Sequence, residues 1–272
     1  MTDMPESPHL LVDQLTEGVT LITLNRPARL NAFTREMVGD FIEMLDGIAR
    51  DSARRVVILT GSGGGFCSGQ DVVAADERNR SQPSGVVQRL YWQEQFAGMG
   101  ERLRNMPQVV IAAVNGPCAG AGMAVALAAD IRIAAQSARF LIASVRLGLT
   151  AGESGISYFL PRLVGASRAF EIMLTGRPVD APEAERIGLC AQLVEDGAAV
   201  DAALVIAKTI LANSPFSIVH TKRLMWENLD AVSFRAAIEL ENRSQILASL
   251  TDDYKEATAA FSEKRTPKFR GQ

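Results

Sequence analysis

An α/β fold is predicted for this chain by two patterns along the sequence. Short apolar runs rich in β-branched residues alternate with segments of helical periodicity, and strand signals nearly vanish beyond residue 166. Alternation of this kind places a sheet between helices that cover both of its faces. The chain has 272 residues, 47% of them apolar, so it can bury a large core as one big domain or as one domain with an appendage.

The local pattern justifies four strands and six helices. The strands are the β-branched runs at residues 19–24, 56–59, 109–114 and 131–134. The helices are predicted at residues 36–50, 85–105, 123–130, 202–213, 214–229 and 233–251. One face of the first helix carries five large apolar side chains, which are Met37, Phe41, Met44, Leu45 and Ile48. The last three helices follow one another directly, so the C-terminal part is predicted to be helical.

Charge and reactive side chains exclude several function classes. The 28 Lys and Arg against 31 Asp and Glu give a net charge of −3, which offers no electrostatic reason to bind nucleic acid. Two histidines, and three cysteines without CxxC spacing, argue against a metal site and against disulfides, and they fit a reducing, cytoplasmic compartment. The first lysine is Lys208, so three-quarters of the chain offers neither a Schiff-base lysine nor a phosphate-loop lysine.

Neither a leader nor a membrane span is expected. Residues 1–8 lack the basic start and the apolar centre of a signal peptide. The longest apolar stretch, residues 109–129, is interrupted by Asn115, Pro117 and several glycines, which do not suit a membrane-spanning helix. We therefore expect no membrane partner.

Two glycine-rich segments each follow a predicted strand, GSGGGFCSGQD at residues 61–71 and NGPCAGAGM at residues 115–123. Neither has the GxGxxG spacing of a dinucleotide loop, and Gln70 stands where a phosphate loop needs lysine. Glycine lets the backbone approach a ligand closely, so each loop could present one N–H to the same oxygen atom and form an oxyanion hole. The alternative is that both segments are tight turns whose small residues allow close packing.

Six short motifs, in this order, resemble the enoyl-CoA hydratase/isomerase family, the crotonase superfamily. They are LNRPARLNA at 24–32, FCSGQD at 66–71, AVNGPCAGAG at 113–122, LPRLVG at 160–165, LTGR at 174–177 and FSEKR at 261–265. The resemblance covers roughly residues 21–270 and rests on the whole series of motifs.

The resemblance implies a spiral of ββα turns over residues 1–200, holding an acyl-CoA site. It also implies a helical region over residues 201–272 that mediates subunit contacts in a homotrimer or a dimer of trimers and reaches coenzyme A. The implied substrate is an acyl-CoA thioester. Coenzyme A is part of that substrate, and no further cofactor is expected.

The same resemblance implies roles for individual residues. The backbone amides of Gln70 and Ala121 would form the oxyanion hole, with the dipole of the following helix adding to it. Substrate contacts are implied for Arg29, Leu30, Ser68, Gly69, Asp71, Trp92, Gly120, Phe261 and Lys264. Three of these have an ordinary structural explanation as well: Asp71 as a helix cap, Trp92 as a core or subunit contact, and Lys264 as a solvated tail charge.

The chain departs from the family at the two glutamates with which a hydratase activates water and delivers a proton. The matching positions hold Ala124 and Ser144. Because losing a general acid or base typically removes ~10²–10⁴-fold of rate per group, we expect weak or absent hydration of a simple enoyl-CoA. Glu153 matches, with a one-residue insertion, a position where some isomerases and dehalogenases of the family carry an acid. It could shuttle a proton through a dienolate, or cap the helix that follows.

Three functions follow from these residues. The first is double-bond isomerisation or related acyl-CoA chemistry, with Gln70, Ala121 and Glu153 as the catalytic residues. The second is hydration in fatty-acid breakdown that uses another acid, such as Glu94. The third is a non-catalytic acyl-CoA-binding protein.

Overall fold

The computed structural model of the chain describes residues 8–75 and 85–271. The strands are β1 (Leu10–Thr16), β2 (Val19–Leu24), β3 (Val56–Gly61), β4 (Val109–Val114), β5 (Pro117–Ala119), β6 (Ile131–Ala135), β7 (Arg139–Leu141), β8 (Val179–Asp180) and β9 (Gln192–Val194). The helices are α1 (Arg35–Ala49), α2 (Val86–Asn105), α3 (Gly120–Ala128), α4 (Ile156–Val164), α5 (Ala166–Thr175), α6 (Ala181–Arg186), α7 (Ala199–Leu211), α8 (Pro215–Leu229), α9 (Phe234–Ser249) and α10 (Asp252–Ser262). Short 3-10 turns lie at Pro27–Arg29 and Ser144–Leu147.

Six strands form the main sheet, in the order β1-β2-β3-β4-β6-β9. β1 is antiparallel to β2, and each of the other neighbouring pairs is parallel. Side chains alternate between two hydrophobic clusters: Val57 and Val110 pack with α1 and α2, whereas Val56 and Val109 pack with α7. Both faces of the sheet are therefore covered, and the predicted α/β fold is confirmed.

Three short strands form a second sheet, in the order β5-β7-β8, and its strand β5 leads into helix α3. β5 runs directly into α3, because Ala119 ends the strand and Gly120 begins the helix. Isolated parallel bridges join Cys67 to Cys118 and Phe33 to Gln70. The loops that follow β2, β3 and β4 are thus paired with one another at one end of the main sheet.

The predicted strands coincide with β2, β3, β4 and β6, and the predicted helices with α1, α2, α3, α7, α8 and α9. Helix α3 begins at Gly120 and not at the predicted residue 123, because the glycine-rich loop itself supplies the first turn. The prediction missed β1 and β9, the two edge strands of the main sheet. Both are largely half-exposed or exposed, and an edge strand of this kind mixes polar and apolar residues.

The expected division after residue 200 falls inside α7. Ala199, Ala203 and Ala207 of this helix are buried on the main sheet, so α7 is part of the sheet's cover. Helix α9 differs, since none of its residues is buried. The separation of a C-terminal region stays a prediction.

No single helix in residues 8–75 and 85–271 is long and apolar enough to cross a membrane. Helices α7 and α8 are long and apolar enough only when they are taken together, and the chain bends by 113° between them.

Helix α8 is fastened to the core through one buried charge. The ammonium of Lys222 donates to the carbonyls of Leu103 at 3.0 Å and Gln108 at 2.7 Å. It also lies 2.9 Å from a carboxylate oxygen of Asp130, and only 4% of the lysine side chain is exposed. The indole of Trp226 donates to the other oxygen of the same carboxylate. Burial lowers the pKa of Lys222, which Asp130 opposes.

We expect Lys222→Met to lower the free energy of unfolding by about 3–5 kcal/mol, because it leaves the partly buried Asp130 without its cation. The exposed pair Lys255–Asp252 provides the control, since both side chains are 71% exposed. Lys255→Met should cost less than about 1 kcal/mol. Urea unfolding followed by tryptophan fluorescence at matched protein concentrations measures both variants. Equal losses in the two would contradict the proposed anchor.

Candidate active site

A cavity of about 120 Å³ brings together half of the site residues that the sequence analysis selected. Its walls come from the loop after β3, the start of α3, the turn before α4 and helix α2. The predicted site residues that line it are Ser68, Gly69, Gln70, Gly120, Ala121 and Glu153. These six residues come from three segments that are far apart in sequence, at 68–70, 120–121 and 153, and they converge on one small cavity.

The two parallel bridges orient the backbone at the cavity. Phe33 donates its amide to the Gly69 carbonyl at 2.8 Å and accepts from the Asp71 amide at 2.9 Å. In a parallel pair the residue between these two partners turns its own N–H away, so the amide of Gln70 does not face Phe33. The bridge between Cys67 and Cys118 brings the two glycine-rich loops side by side in the same direction. Gln70 and Ala121 each stand three residues beyond a member of that bridge.

Glycine is needed where the loops touch. Gly69 has φ +100°, and a Cβ there would lie 3.0 Å from the Ala119 carbonyl oxygen and 3.4 Å from the Ala121 nitrogen. A Cβ on Gly122 would lie 2.5 Å from the Cβ of Cys67, closer than side-chain atoms approach one another. The absence of a side chain at Gly69 thus lets its backbone pack closely against the loop that carries the Ala121 amide. As the second residue of α3, Ala121 has an N–H without an acceptor inside the helix.

Two asparagines hold the first glycine-rich loop in place, and the sequence analysis missed both as site residues. The buried side chain of Asn31 donates to the carbonyls of Ser62 at 2.9 Å and Gly65 at 2.8 Å. Asn115 donates to the carbonyl of Gly61 at 2.8 Å. Asn31 also has φ +57°, a conformation that asparagine tolerates better than most residues. The available signal was an asparagine inside each motif: Asn115 directly follows β4, whereas Asn31 lies beyond the 3-10 turn that follows β2.

Asp71 joins the loop after β2 to the loop after β3. Its carboxylate lies 2.9 Å from Arg26 and 3.7 Å from Arg29, and its side chain is 5% exposed. It also accepts from the Ala74 amide at 3.2 Å, as a helix cap does. Burial favours a higher pKa for Asp71, but the Ala74 amide and Arg26 hold that pKa below its ordinary value. Asp71 is therefore tied into the scaffold directly beside Gln70.

Glu153 is the only titratable side chain among the described residues that line the cavity. One of its carboxylate oxygens accepts a hydrogen bond from the hydroxyl of Ser144 at 2.6 Å. The same oxygen lies 3.6 Å from where a Cβ on Gly120 would stand, so it is next to the first residue of α3. No side chain caps α4, whose N-cap is Gly155. The carboxylate of Glu153 thus bonds to Ser144 and does not cap the following helix.

The two positions predicted to match the family glutamates carry no second acid. Ala124 is buried in α3 with 2% of its surface exposed, and Ser144 lines the cavity. Glu94 is exposed on α2 and is absent from the cavity lining, whereas Gln93 and Phe96 of the same helix belong to it. In residues 8–75 and 85–271, no three His, Cys, Asp or Glu side chains converge in a way that could hold a metal ion.

The remaining predicted contacts lie outside the cavity lining. Arg29 and Leu30 are exposed on the loop after β2. Trp92 lies beneath the guanidinium of Arg35, 4.7 Å from the ring centre, and its buried indole N–H finds no acceptor among the described residues. Phe261, 87% exposed, and Lys264 stand on α10 and directly after it. Their predicted contacts with substrate stay predictions.

Cys67 beside the first loop is a structural thiol. It is fully buried, and its sulfur lies 3.1 Å from the Asn31 carbonyl oxygen. Burial raises the pKa of the Cys67 thiol to about 12, so the nucleophilic thiolate is not available at neutral pH.

Comparison with known proteins supports the family resemblance of the sequence motifs. Residues 14–272 match the family model described as enoyl-CoA hydratase/isomerase. The chain is 43% identical over 265 residues to a probable enoyl-CoA hydratase of Mycobacterium bovis, which covers 96% of this chain and 92% of that protein.

Two solved structures show the same fold. A putative enoyl-CoA hydratase from Streptomyces coelicolor A3(2) has a TM-score of 0.93 at 39% identity, covering 100% of this chain and 98% of that one. A monofunctional enoyl CoA isomerase from M. smegmatis has a TM-score of 0.73 at 42% identity, covering 85% of this chain and 99% of that one. With the crotonase-like fold that the sequence predicted, this chain belongs to the enoyl-CoA hydratase/isomerase family, as an enzyme of the lyase or isomerase type.

Proposed function

We propose that the protein moves the double bond of an unsaturated acyl-CoA thioester, with Glu153 carrying the proton. The observation that supports this most strongly is that one carboxylate lines the same small cavity as the two residues predicted to supply the oxyanion amides. Glu153, Gln70 and Ala121 all line it. The similarity to a protein described as a monofunctional enoyl CoA isomerase supports the same reaction class.

The amides of Gln70 and Ala121 act on the thioester carbonyl. Preorganised N–H groups aimed at an oxygen stabilise the negative charge that develops there when the α-carbon becomes enolate-like. Ala121 is the second residue of α3, so the positive end of the helix dipole adds to this stabilisation. Coenzyme A is part of the substrate, and the chemistry needs no further cofactor.

One carboxylate suffices for the proton transfer. The ionised Glu153 takes a proton from one carbon of the acyl chain, and the electron pair of the broken C–H bond delocalises into a dienolate held by the two amides. The protonated Glu153 then returns the proton to a different carbon, and the double bond reforms in its new position. The group starts and ends as a carboxylate, so atoms and charge balance over the cycle.

Hydration needs two such tasks at once, activation of water and delivery of a proton. The methyl group of Ala124 performs neither, and the hydroxyl of Ser144 is engaged with Glu153. Glu94, the other acid considered for hydration, is exposed away from the cavity lining. We therefore propose isomerisation as the main activity and hydration as a slower one.

The coenzyme A portion of the substrate extends from the cavity along the loop that carries Arg29 and Leu30. Phe261 and Lys264 of the same chain do not line the cavity, so we propose that a neighbouring subunit brings them to the nucleotide end. Exposed apolar side chains on and directly after α9, which include Leu240, Ile246, Leu247 and Leu250, support a homotrimer or a dimer of trimers. A cytoplasmic location stays a prediction from the cysteine pattern.

Replacing Glu153 by glutamine should lower isomerase kcat by ~10²–10⁴-fold, because the amide keeps the shape but cannot accept the proton. The assay incubates 3-enoyl- and 2-enoyl-CoA thioesters of several chain lengths and separates the products by liquid chromatography. Glu94→Gln, an exposed acid on neighbouring α2, is the matched control and should leave turnover unchanged.

Three outcomes would contradict the proposed function. Unchanged isomerisation by Glu153→Gln would show that Glu153 does not carry the proton. Hydration that is faster than isomerisation and is lost in Glu94→Gln would favour a hydratase. Tight calorimetric binding of acyl-CoA with no turnover across the panel would indicate a binding protein.

The amide pair is tested by adding one methyl group to the loop. Gly69→Ala places a Cβ against Ala119 and Ala121 at positive φ, and we expect kcat/KM to fall by ~10²–10³-fold, as for loss of an oxyanion donor. Gly64→Ala, on the same loop, meets nothing within 4 Å and should stay within about twofold of wild type.

The affinity for free coenzyme A separates the oxyanion hole from general damage to the loop. Coenzyme A has no thioester carbonyl, so Gly69→Ala should lose much less affinity for it in calorimetry than it loses in kcat/KM. Equal loss of coenzyme A binding and of turnover would contradict a role confined to the carbonyl.

A further inference from the structure

The hydroxyl of Ser144 has an unusual partner for a serine at the start of a 3-10 turn. Such hydroxyls commonly bond to nearby backbone groups. Here the hydroxyl donates to a carboxylate oxygen of Glu153, nine residues further along, at 2.6 Å. Within the described residues this is the hydrogen bond that the Glu153 side chain makes. A carboxylate inside the cavity is therefore held by one neutral donor.

The backbone of Ser144 is firmly placed. The residue is 8% exposed and begins the turn Ser144–Leu147. Its carbonyl accepts from the amide of Leu149 at 3.0 Å, which closes the loop behind it. A donor with a fixed backbone and a short side chain can restrict a long side chain that rotates about three bonds.

Glu153 needs such a restraint because only its backbone is otherwise fixed. Its amide donates to the Ala151 carbonyl at 3.2 Å, and its carbonyl accepts from Ile156 at 2.9 Å. The next two residues, Ser154 and Gly155, have φ +47° and +89°, which turns the chain sharply into α4. These contacts fix the position of the Glu153 backbone, but they do not fix the position of its carboxylate.

The bond to Ser144 determines which oxygen is free. The bound oxygen lies next to Gly120, at the first residue of α3. The second oxygen is left to exchange a proton with the acyl chain. A hydroxyl whose single proton is donated to Glu153 cannot give that proton to substrate at the same time.

On the basis of the proposed function, we propose that Ser144 is a positioning residue that holds one oxygen of the Glu153 carboxylate so that the other oxygen transfers the proton. Ser144 stands at the position that the family resemblance implies for a hydratase glutamate. There it orients Glu153, the proposed acid of the isomerase. It acts through Glu153 and contacts no reacting atom.

Ser144→Ala should lower kcat by about 10- to 100-fold while KM stays within about twofold, because misplacing a catalytic group lowers turnover without removing binding contacts. Ser144→Thr keeps the hydroxyl and should recover most of the rate. Ser157→Ala, an exposed serine of α4, is the matched control and should behave as wild type. Thermal unfolding checks that every variant is folded.

A double-mutant cycle tests whether Ser144 acts through Glu153. If it does, Ser144→Ala combined with Glu153→Gln is no slower than Glu153→Gln alone. A purely structural role would give losses that multiply, and that result would overturn the proposal. Unchanged kcat in Ser144→Ala would overturn it as well.

Infrared spectroscopy with ¹³C-labelled glutamate examines the same bond without relying on turnover. The carboxylate band that disappears in Glu153→Gln belongs to Glu153. This band should move in Ser144→Ala and return in Ser144→Thr. An unmoved band overturns the positioning role, whereas a moved band in a protein that isomerises none of the thioesters supports the contact and contradicts the proposed function.

Discussion

The parallel pairing of the two glycine-rich loops is the constraint on which the site depends. The bridge between Cys67 and Cys118 sets the two loops in the same direction, and Gln70 and Ala121 follow it at equal distances along the chain. This pairing requires contact between backbones, which Gly69 and Gly122 permit because a Cβ on either would meet the opposite loop. The small residues are therefore the means by which two strand ends present their amides side by side.

Scaffold groups around this pairing remove the freedom that the glycines bring. Glycine carries the largest conformational entropy of any residue in the unfolded chain, so a loop rich in it must be restrained to act as a preorganised donor. Asn31 and Asn115 bind its carbonyls, and Asp71 is held against Arg26 beside Gln70. The polar side chains of these motifs thus hold the backbone, and the proposed mechanism relies on two amides and one carboxylate.

The sequence predicts the fold well because the buried strands carry continuous apolar runs. β3 and β4 are buried on both faces, so their patterns are strong, whereas β1 and β9 at the sheet edges leave weak ones. The motifs also located Gln70 and Ala121, and the family resemblance located Glu153; all three line one cavity. The bond between Ser144 and Glu153 was beyond prediction, because it depends on how a 3-10 turn and a sharp turn at positive φ face each other across nine residues. The anchoring asparagines were missed because their partners are carbonyls of a distant loop, which sequence spacing does not reveal.

The residue at position 144 determines the electrostatic environment of the Glu153 carboxylate. The hydroxyl of Ser144 lies 2.6 Å from the Glu153 carboxylate, so a glutamate at position 144 would bring a second negative charge close to the first. Two unit charges 4 Å apart repel by about 4 kcal/mol at the effective dielectric of a protein surface, so both could not remain ionised at little cost. A serine replaces that repulsion with a hydrogen bond to the charged oxygen. In the proposed isomerase mechanism, serine at position 144 therefore leaves Glu153 as a single ionised carboxylate that can act as the base beside the two amides.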